Sequence, residues 1–409
     1  MLFAFPFVFV GILAVGQDPA DWPGLLGPRG DFRASPTQKI MVPWPANGLT
    51  REWSYPLGEG YAAPVSAMGK VYAFHRIDKN EIVDAIDAAT GRKLWSTPWV
   101  STYSDAYGKG DGPRATPLVV KDSIIIHSPD GSLRSLDATT GKVRWVMQLA
   151  KDLNANLPFF GAGASPALID DVLILNCGGS EAGIVGINPV KGQIEWKQTR
   201  HPAGYATPVS LGNGLAAVFT RTGLVLLKSA DGQLVLEQRW RSRMDASVNA
   251  ASPVVWERGV VVSSSYATGC LCLEKKGNQW VTAWSNDSSL SCHFSTPVSR
   301  DGLLFGFHGR QEQGASLRCV DAATGKVHWE KEGTGIGWIG STADGLLVLC
   351  EDGTLSLIKP KSDKYEALAT TRLLNGPVWS HAALADGNIY VRDAKSLMAF
   401  RLGAPATNR

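Results

Sequence analysis

The sequence predicts an all-β fold: an eight-bladed β-propeller of four-stranded blades, closed by an N-terminal strand added to the last blade. Three observations carry this. A small-residue–Pro step followed by an apolar run recurs, with prolines at 64, 117, 166, 208, 253 and 297, at steps of 53, 49, 42, 45 and 44 residues. A turn-and-tryptophan string returns as DAATGRKLW, DATTGKVRW, NPVKGQIEW and DAATGKVHW. Between these markers lie short apolar strands with frequent turn signals and no long stretch of helical period. Four strands in a unit of this length is the period of a propeller blade.

Residues 2–15 are apolar, a run shorter than a bilayer span, and Ala14-Val15-Gly16 offers small residues before Gln17. Residues 1–16 are therefore expected to be a secretory signal. Residues 17–48 read as a lead-in segment, and deleting 17–45 is expected to be far milder than deleting 17–57. LTREWSYPL at 49–57 is an orphan strand whose Trp53 should pair onto the last blade and remove the free edges of an open array. Six units then begin at AAPV (62–65), ATPL (115–118), ASPA (164–167), ATPV (206–209), ASPV (251–254) and STPV (295–298). Two more, from Ser341 and His381, keep the strand pattern without the proline. The propeller spans 49–402, and 403–409 form a tail.

The repeated string has a packing logic. Asp87, Asp137, Asn188 and Asp321 can accept bonds from the amides of their own turns, and Gly91, Gly141, Gly192 and Gly325 can take a positive φ. Trp95, Trp145, Trp196 and Trp329 follow on the outer strand, where a large ring can cover the joint with a neighbouring blade. Units four, five and seven place Leu236, Val281 and a degenerate KSDKYEAL there. A catalytic motif would not recur in four scattered blades. The string is expected to be mortar.

These residues resemble the PQQ-like (quinoprotein) propeller repeat over residues 50–402. DWPGLLGPRGDFRASP is similar to the lead-in of exported bacterial PQQ-like repeat proteins. The resemblance implies the eight-bladed fold but not one activity, because the fold serves enzymes and scaffolds alike. One branch, the PQQ-dependent dehydrogenases, would imply the quinone, a Ca²⁺ held by acidic and amide side chains, a carboxylate base and often an adjacent-cysteine disulfide. The chain has no Cys-Cys pair, and most of its blades are close to minimal in length. The longest insertions, 99–116 and 148–165, carry Asp105, Asp111, Asn154 and Asn156, oxygen donors suited in type to Ca²⁺. The other branch is the propeller subunit of the outer-membrane β-barrel assembly machinery, a scaffold that this chain matches in size. That subunit is a lipoprotein, whereas the first cysteine here is Cys177. No cofactor and no metal are expected, with PQQ and Ca²⁺ only under the dehydrogenase alternative.

Composition narrows the partners. The net charge of +3, from 40 basic and 37 acidic side chains, argues against a nucleic-acid surface. Nothing after residue 16 resembles a transmembrane helix. Cys177, Cys270, Cys272, Cys292, Cys319 and Cys350 show no metal or haem spacing and read as strand-filling residues. GTGIGWIG at 333–340 leads into a strand pattern and is expected to be a blade connection, not a phosphate loop. The Ser-His step at 380–381 comes with no readable triad.

One constellation remains. In a propeller the residues before each proline and those ending each second strand share a rim. Here they are Tyr61, His75, Arg76, Arg114, His127, Phe160, Tyr205, Arg221, Tyr266, His293, His308, Arg310, Trp338, Trp379 and His381. Aromatic and Arg side chains are the types enriched at binding hot spots. The candidate ligand-binding set is His75, Arg76, Arg114, His127, Arg221, His308, Arg310, Trp338 and Trp379. The expected protein is a monomeric, periplasmic or secreted scaffold that binds a protein, or a small anionic or glycan ligand, on this rim.

Overall fold

The computed structural model describes residues 21–403; the expected signal and all but the first residue of the tail lie outside the described residues. Eight antiparallel four-stranded sheets make a closed ring. Blade one comprises Val65–Ala67, Lys70–Ile77, Asn80–Asp87 and Lys93–Val100, and the next six repeat this order over 118–147, 167–198, 209–239, 254–286, 298–331 and 337–372. Blade eight takes three strands from 383–401 and its outermost from Arg51–Pro56, which runs antiparallel to Ser396–Arg401 with Trp53 opposite Ala399. Neighbouring innermost strands abut around the channel. The segment 333–340 is a blade connection running into the strand Gly337–Thr342.

Two sets of bonds tie blade to blade, and each explains one sequence marker. On the proline face, the hydroxyl before a proline accepts the equivalent amide of the preceding blade. Ala63 donates to Thr116 Oγ1 (3.0 Å), Thr116 to Ser165 Oγ (2.8 Å), Thr207 to Ser252 Oγ (3.0 Å) and Ser252 to Thr296 Oγ1 (2.9 Å). Proline, lacking an N–H and holding its predecessor extended, fixes this presentation.

On the opposite face the tryptophans act. Each indole Nε1–H donates to a main-chain carbonyl in the turn of the next blade: Trp53 to Ala88 (2.9 Å), Trp95 to Ala138 (3.3 Å), Trp145 to Pro189 (3.1 Å), Trp196 to Ser229 (2.9 Å) and Trp329 to Lys361 (2.8 Å). The turn Gly must then satisfy two demands. Gly91 has φ 71°, and a Cβ there would stand 2.7 Å from the Trp53 ring. The turn Asp does what the sequence suggested: Asp87 Oδ1 accepts the Thr90 amide at 2.8 Å and its hydroxyl at 2.7 Å.

Blade five corrects one expectation. Its aligned residue is Trp284, not Val281: Trp284 pairs with Cys272 at the strand bulge and donates to the Ala322 carbonyl at 2.9 Å. A long hairpin with a tight turn at Gly277 moves the ring seven residues beyond the glycine instead of four. On this face six of the eight joints therefore carry an indole, with Leu236 and Ala369 at the other two; at the joint of blades four and five Trp240 instead donates to the Gly269 carbonyl at 3.1 Å.

The lead-in is the larger surprise. Trp22 exchanges main-chain bonds with Ser66 of the innermost strand of blade one, and Pro23 accepts the Val119 amide of blade two. The chain crosses the channel, Phe32 and Ala34 bond Ser341 of blade seven, and Arg33 Nη2 reaches the Ser299 carbonyl of blade six at 2.8 Å. It leaves on the turn face through Gln38, which accepts the Gly387 amide, and Ile40, whose amide meets Asp344. Trp22, Leu26, Phe32, Ile40 and Trp44 are buried in the main core. The segment 21–44 is a plug, so the expectation that its removal is mild does not fit this packing.

Candidate functional site

At the joint between blade eight and blade one, side chains of both blades bond across the closing strand. Trp53 and Tyr55 come from the closing strand; the Tyr55 hydroxyl donates to Asp84 Oδ2 at 2.8 Å, and the same oxygen meets His75 Nε2 at 2.9 Å. His75 Nδ1 accepts the Gly58 amide, so Nε2 carries the ring proton. Burial favours neutral Asp84, but bonds from His75, Ser96 and Tyr55 outweigh it and hold the carboxyl below its ordinary range. The buried Arg392 of blade eight donates to the carbonyls of Gly58, Ala62 and Phe74 in or beside blade one. Desolvation lowers this guanidinium to about 10. The Asp–His–Tyr array bonds the closing strand to blade one and serves as a latch.

Four of the nine candidate side chains are thus not presented on the rim. His75 belongs to the latch. Arg76 is buried and donates to the carbonyls of Asp78, Tyr103 and Asp111, fastening the 99–116 loop. His127 is buried, its Nδ1 bonded to the Ala164 carbonyl at 2.9 Å, and burial depresses its pKa. Trp338, 2% exposed, lies edge-on to Trp22 and Phe32 and roofs the plug. Position at a strand end put these residues near the rim; the turning of each side chain into a joint or the channel carried them under it.

Arg114, Arg221, His308, Arg310 and Trp379 remain on the proline face, in two clusters. In the first, Trp379 (40% exposed) stacks on Tyr61 at 5.9 Å. Arg114 lies against Tyr61, Tyr103 and Phe160 at 5.5, 6.0 and 5.8 Å. Tyr107 (55% exposed) meets Phe159 and Phe160 edge-on. The two long insertions therefore build an exposed aromatic platform around a guanidinium. In the second, Arg310 lies 4.2 Å over Tyr266, whose hydroxyl meets His293 Nε2 at 2.9 Å. Burial, then the nearby Arg310 charge, lowers His293 to about 4. His308 is half-buried, with Nδ1 unbonded among the described residues. Tyr103, Tyr107 and Phe159 were outside the candidate set. Their signal was the length of the loops that carry them.

Of the oxygen donors noted as possible Ca²⁺ ligands, the two carboxylates are otherwise engaged. Asp111 accepts the Asp105 amide and faces Arg76 at 3.7 Å; Asp105 accepts the Lys109 amide and faces Arg114 at 4.0 Å. Asn154 Nδ2 donates to Ser180 Oγ at 2.9 Å. Among the described residues no three of His, Cys, Asp or Glu gather as metal ligands. Burial pushes the thiols of Cys177, Cys272, Cys292, Cys319 and Cys350 up to about 12, so these are packing residues and not nucleophiles. No helix among the described residues is long and apolar enough to cross a membrane.

Comparison with known proteins agrees with this architecture. A family model described as outer membrane protein assembly factor BamB matches residues 44–207 and 79–331. Similar proteins include the assembly factor BamB of Burkholderia pseudomallei (24% identical, 66% of this chain and 69% of that one) and that of Yersinia pestis (22%, 73% and 72%). A quinohemoprotein alcohol dehydrogenase, ADH-IIG of Pseudomonas putida, is 26% identical over 43% of this chain but only 24% of its own length. Among solved structures, BamB of Moraxella catarrhalis superposes with a TM-score of 0.64 (16% identity, 88% of this chain and 99% of that one). The quinohemoprotein alcohol dehydrogenase of Comamonas testosteroni reaches 0.67 (14%, 98% and 84%). At these identities the structures speak for the fold alone.

Proposed function

The chain belongs to the family of the outer membrane protein assembly factor BamB, and from that premise we propose that it is an exported, non-catalytic scaffold binding a protein partner on its proline face. The observation that carries this reading is the aromatic platform of Tyr61, Trp379, Tyr107 and Phe159 around Arg114 on the proline face. Aromatic and Arg anchors are what partner surfaces use. The quinone alternative fits poorly. Trp22, Leu26 and Phe32 fill the channel from the turn face, Asp105 and Asp111 are held by arginines and amides, and no adjacent cysteines stand by. We therefore derive no step through a quinone or Ca²⁺, and expect a monomeric propeller acting in the periplasm or outside the cell.

The test is affinity isolation from the cell envelope with matched variants. Arg114/Arg221/Arg310→Ala should release the partner while the protein stays folded, and Arg92/Lys142/Lys326→Ala on the opposite face should not. In parallel, pyrroloquinoline quinone with Ca²⁺ should show no stoichiometric uptake by absorbance. Tight uptake with dye-linked alcohol oxidation would replace the scaffold with the dehydrogenase.

A further inference from the structure

The second cluster on the proline face carries polar groups that the fold leaves without partners. Arg241 pairs with Asp245 at 3.6 Å and Arg310 with Glu312 at 3.3 Å, both acids standing well out in solvent. Arg221 lies between them and has no carboxylate partner among the described residues. Its Nη2 donates to the Asp245 carbonyl at 2.7 Å, and its Nη1 is buried with no acceptor. Beside it, Arg310 Nε, His293 Nδ1 and the hydroxyls of Ser265 and Ser295 are likewise buried and unbonded, the two serines almost fully enclosed. Desolvation and then the neighbouring Arg241 charge weaken the hold of Arg221 on its own proton.

The backbone points the same way. Tyr266, which stacks under Arg310 and bonds His293, has φ 65°, and Ala267 follows at 54°. The left-handed region is costly for a bulky side chain, and such strain concentrates at functional sites. A partly buried guanidinium facing a like charge, with unmet donors around it, is an arrangement that an anion completes.

Resting on the scaffold reading, we propose that the mouth of the channel over blades four to six is a carboxylate-binding site, centred on Arg221 with Arg310, Tyr266 and His293. Its ligand is an acidic segment of the protein partner. The planar guanidinium of Arg221 receives the carboxylate, and Tyr266, held by Arg310, forms the wall against which the segment lies. Glu312 and Asp245 form ion pairs with the flanking Arg310 and Arg241, and among the described residues no carboxylate forms an ion pair with Arg221.

Titration of the full chain with a hexaglutamate peptide, followed by calorimetry or amide chemical shifts, tests this. Binding should be seen at low salt, fall with ionic strength, be absent for hexaglutamine and weaken by about tenfold or more in Arg221→Gln. Arg221→Leu should leave the melting temperature unchanged or raised, because it removes a buried charge without a partner. If Arg221→Leu melts well below the parent, Arg221 is a structural brace and the proposal fails. Citrate binding as tightly as the peptide would assign the site to a free organic acid and overturn the partner-segment reading. If a partner is isolated on the proline face while hexaglutamate does not bind, the carboxylate site falls and the scaffold stands. Hexaglutamate binding without any partner would do the reverse.

Discussion

The two ends of the channel are built on opposite rules. On the turn face the repeated features dominate, the Asp–Thr–Gly turns and the indole-to-carbonyl bonds at six joints, beside the exit of a single plug that ties blades one, two, six, seven and eight. On the proline face only the inner ring of hydroxyl-to-amide bonds repeats. Around it stand one-off loops with exposed aromatic rings and guanidinium, imidazole and hydroxyl groups that lack partners. The difference teaches where stability ends and recognition begins: the repeated turns and indoles close the joints between blades, whereas the loops outside the repeat present aromatic and guanidinium groups on one face.

The strongest way to break this contrast is to remove the plug. Deleting residues 17–45 takes away Trp22, Phe32, Ile40 and Trp44 together, and a loss of more than about 6 kcal/mol is expected from the scale of single large-to-small core changes. Denaturant unfolding measures it. A deletion variant as stable as its parent would make the lead-in an ornament on a self-sufficient ring.

Next come the joints. Trp145→Ala and Trp284→Ala should each cost about 3–5 kcal/mol, although only the first stands in an obvious copy of the repeat. Val281→Ala, at the place simple counting chose, should cost less than about 1 kcal/mol. If Val281 mattered and Trp284 did not, the register described for blade five would be wrong.

Protonation sharpens the comparison on the proline face. His293 is lowered to about 4 in the folded chain, from an ordinary value near 6.5. Between those values the unfolded chain binds a proton that the native one refuses, so its contribution to stability falls as pH drops from about 6.5 towards 4. Relative to His293→Gln, the parent should lose up to about 2 kcal/mol between pH 7 and 5. Thermal unfolding of the pair at pH 7, 6 and 5 isolates the imidazole; a constant difference would show that it is not held neutral.

Much of the fold was legible because its markers are local. Proline steps and the turn strings repeat at blade spacing, and Trp53 stood out as a tryptophan strand without a unit. Trp284 was not legible, since a hairpin's length decides which residue reaches the joint and strand pairing is not written locally. The plug was hidden for a similar reason: DWPGLLGPRGDF has no periodicity, and what buries Trp22 and Phe32 is a channel made by residues scattered from 66 to 341. Of the rim, Arg114 and Trp379 could be placed by position, whereas Arg392 and His75 have their polar atoms drawn into the closing joint by carbonyls and a carboxylate from elsewhere in the chain.

The smallest effect on stability should come from the surface that matters most for binding. Trp379→Ala is expected to change folding free energy by less than about 1 kcal/mol. The direct test of the central claim is site-specific photo-cross-linking in the cell envelope, with the reactive side chain placed at Trp379 or Phe159 on one face and at Lys142 or Lys326 on the other. The account predicts one discrete protein adduct from the first pair and none from the second. An adduct from Lys142 or Lys326, with none from Trp379 or Phe159, would put recognition on the mortar face and contradict it.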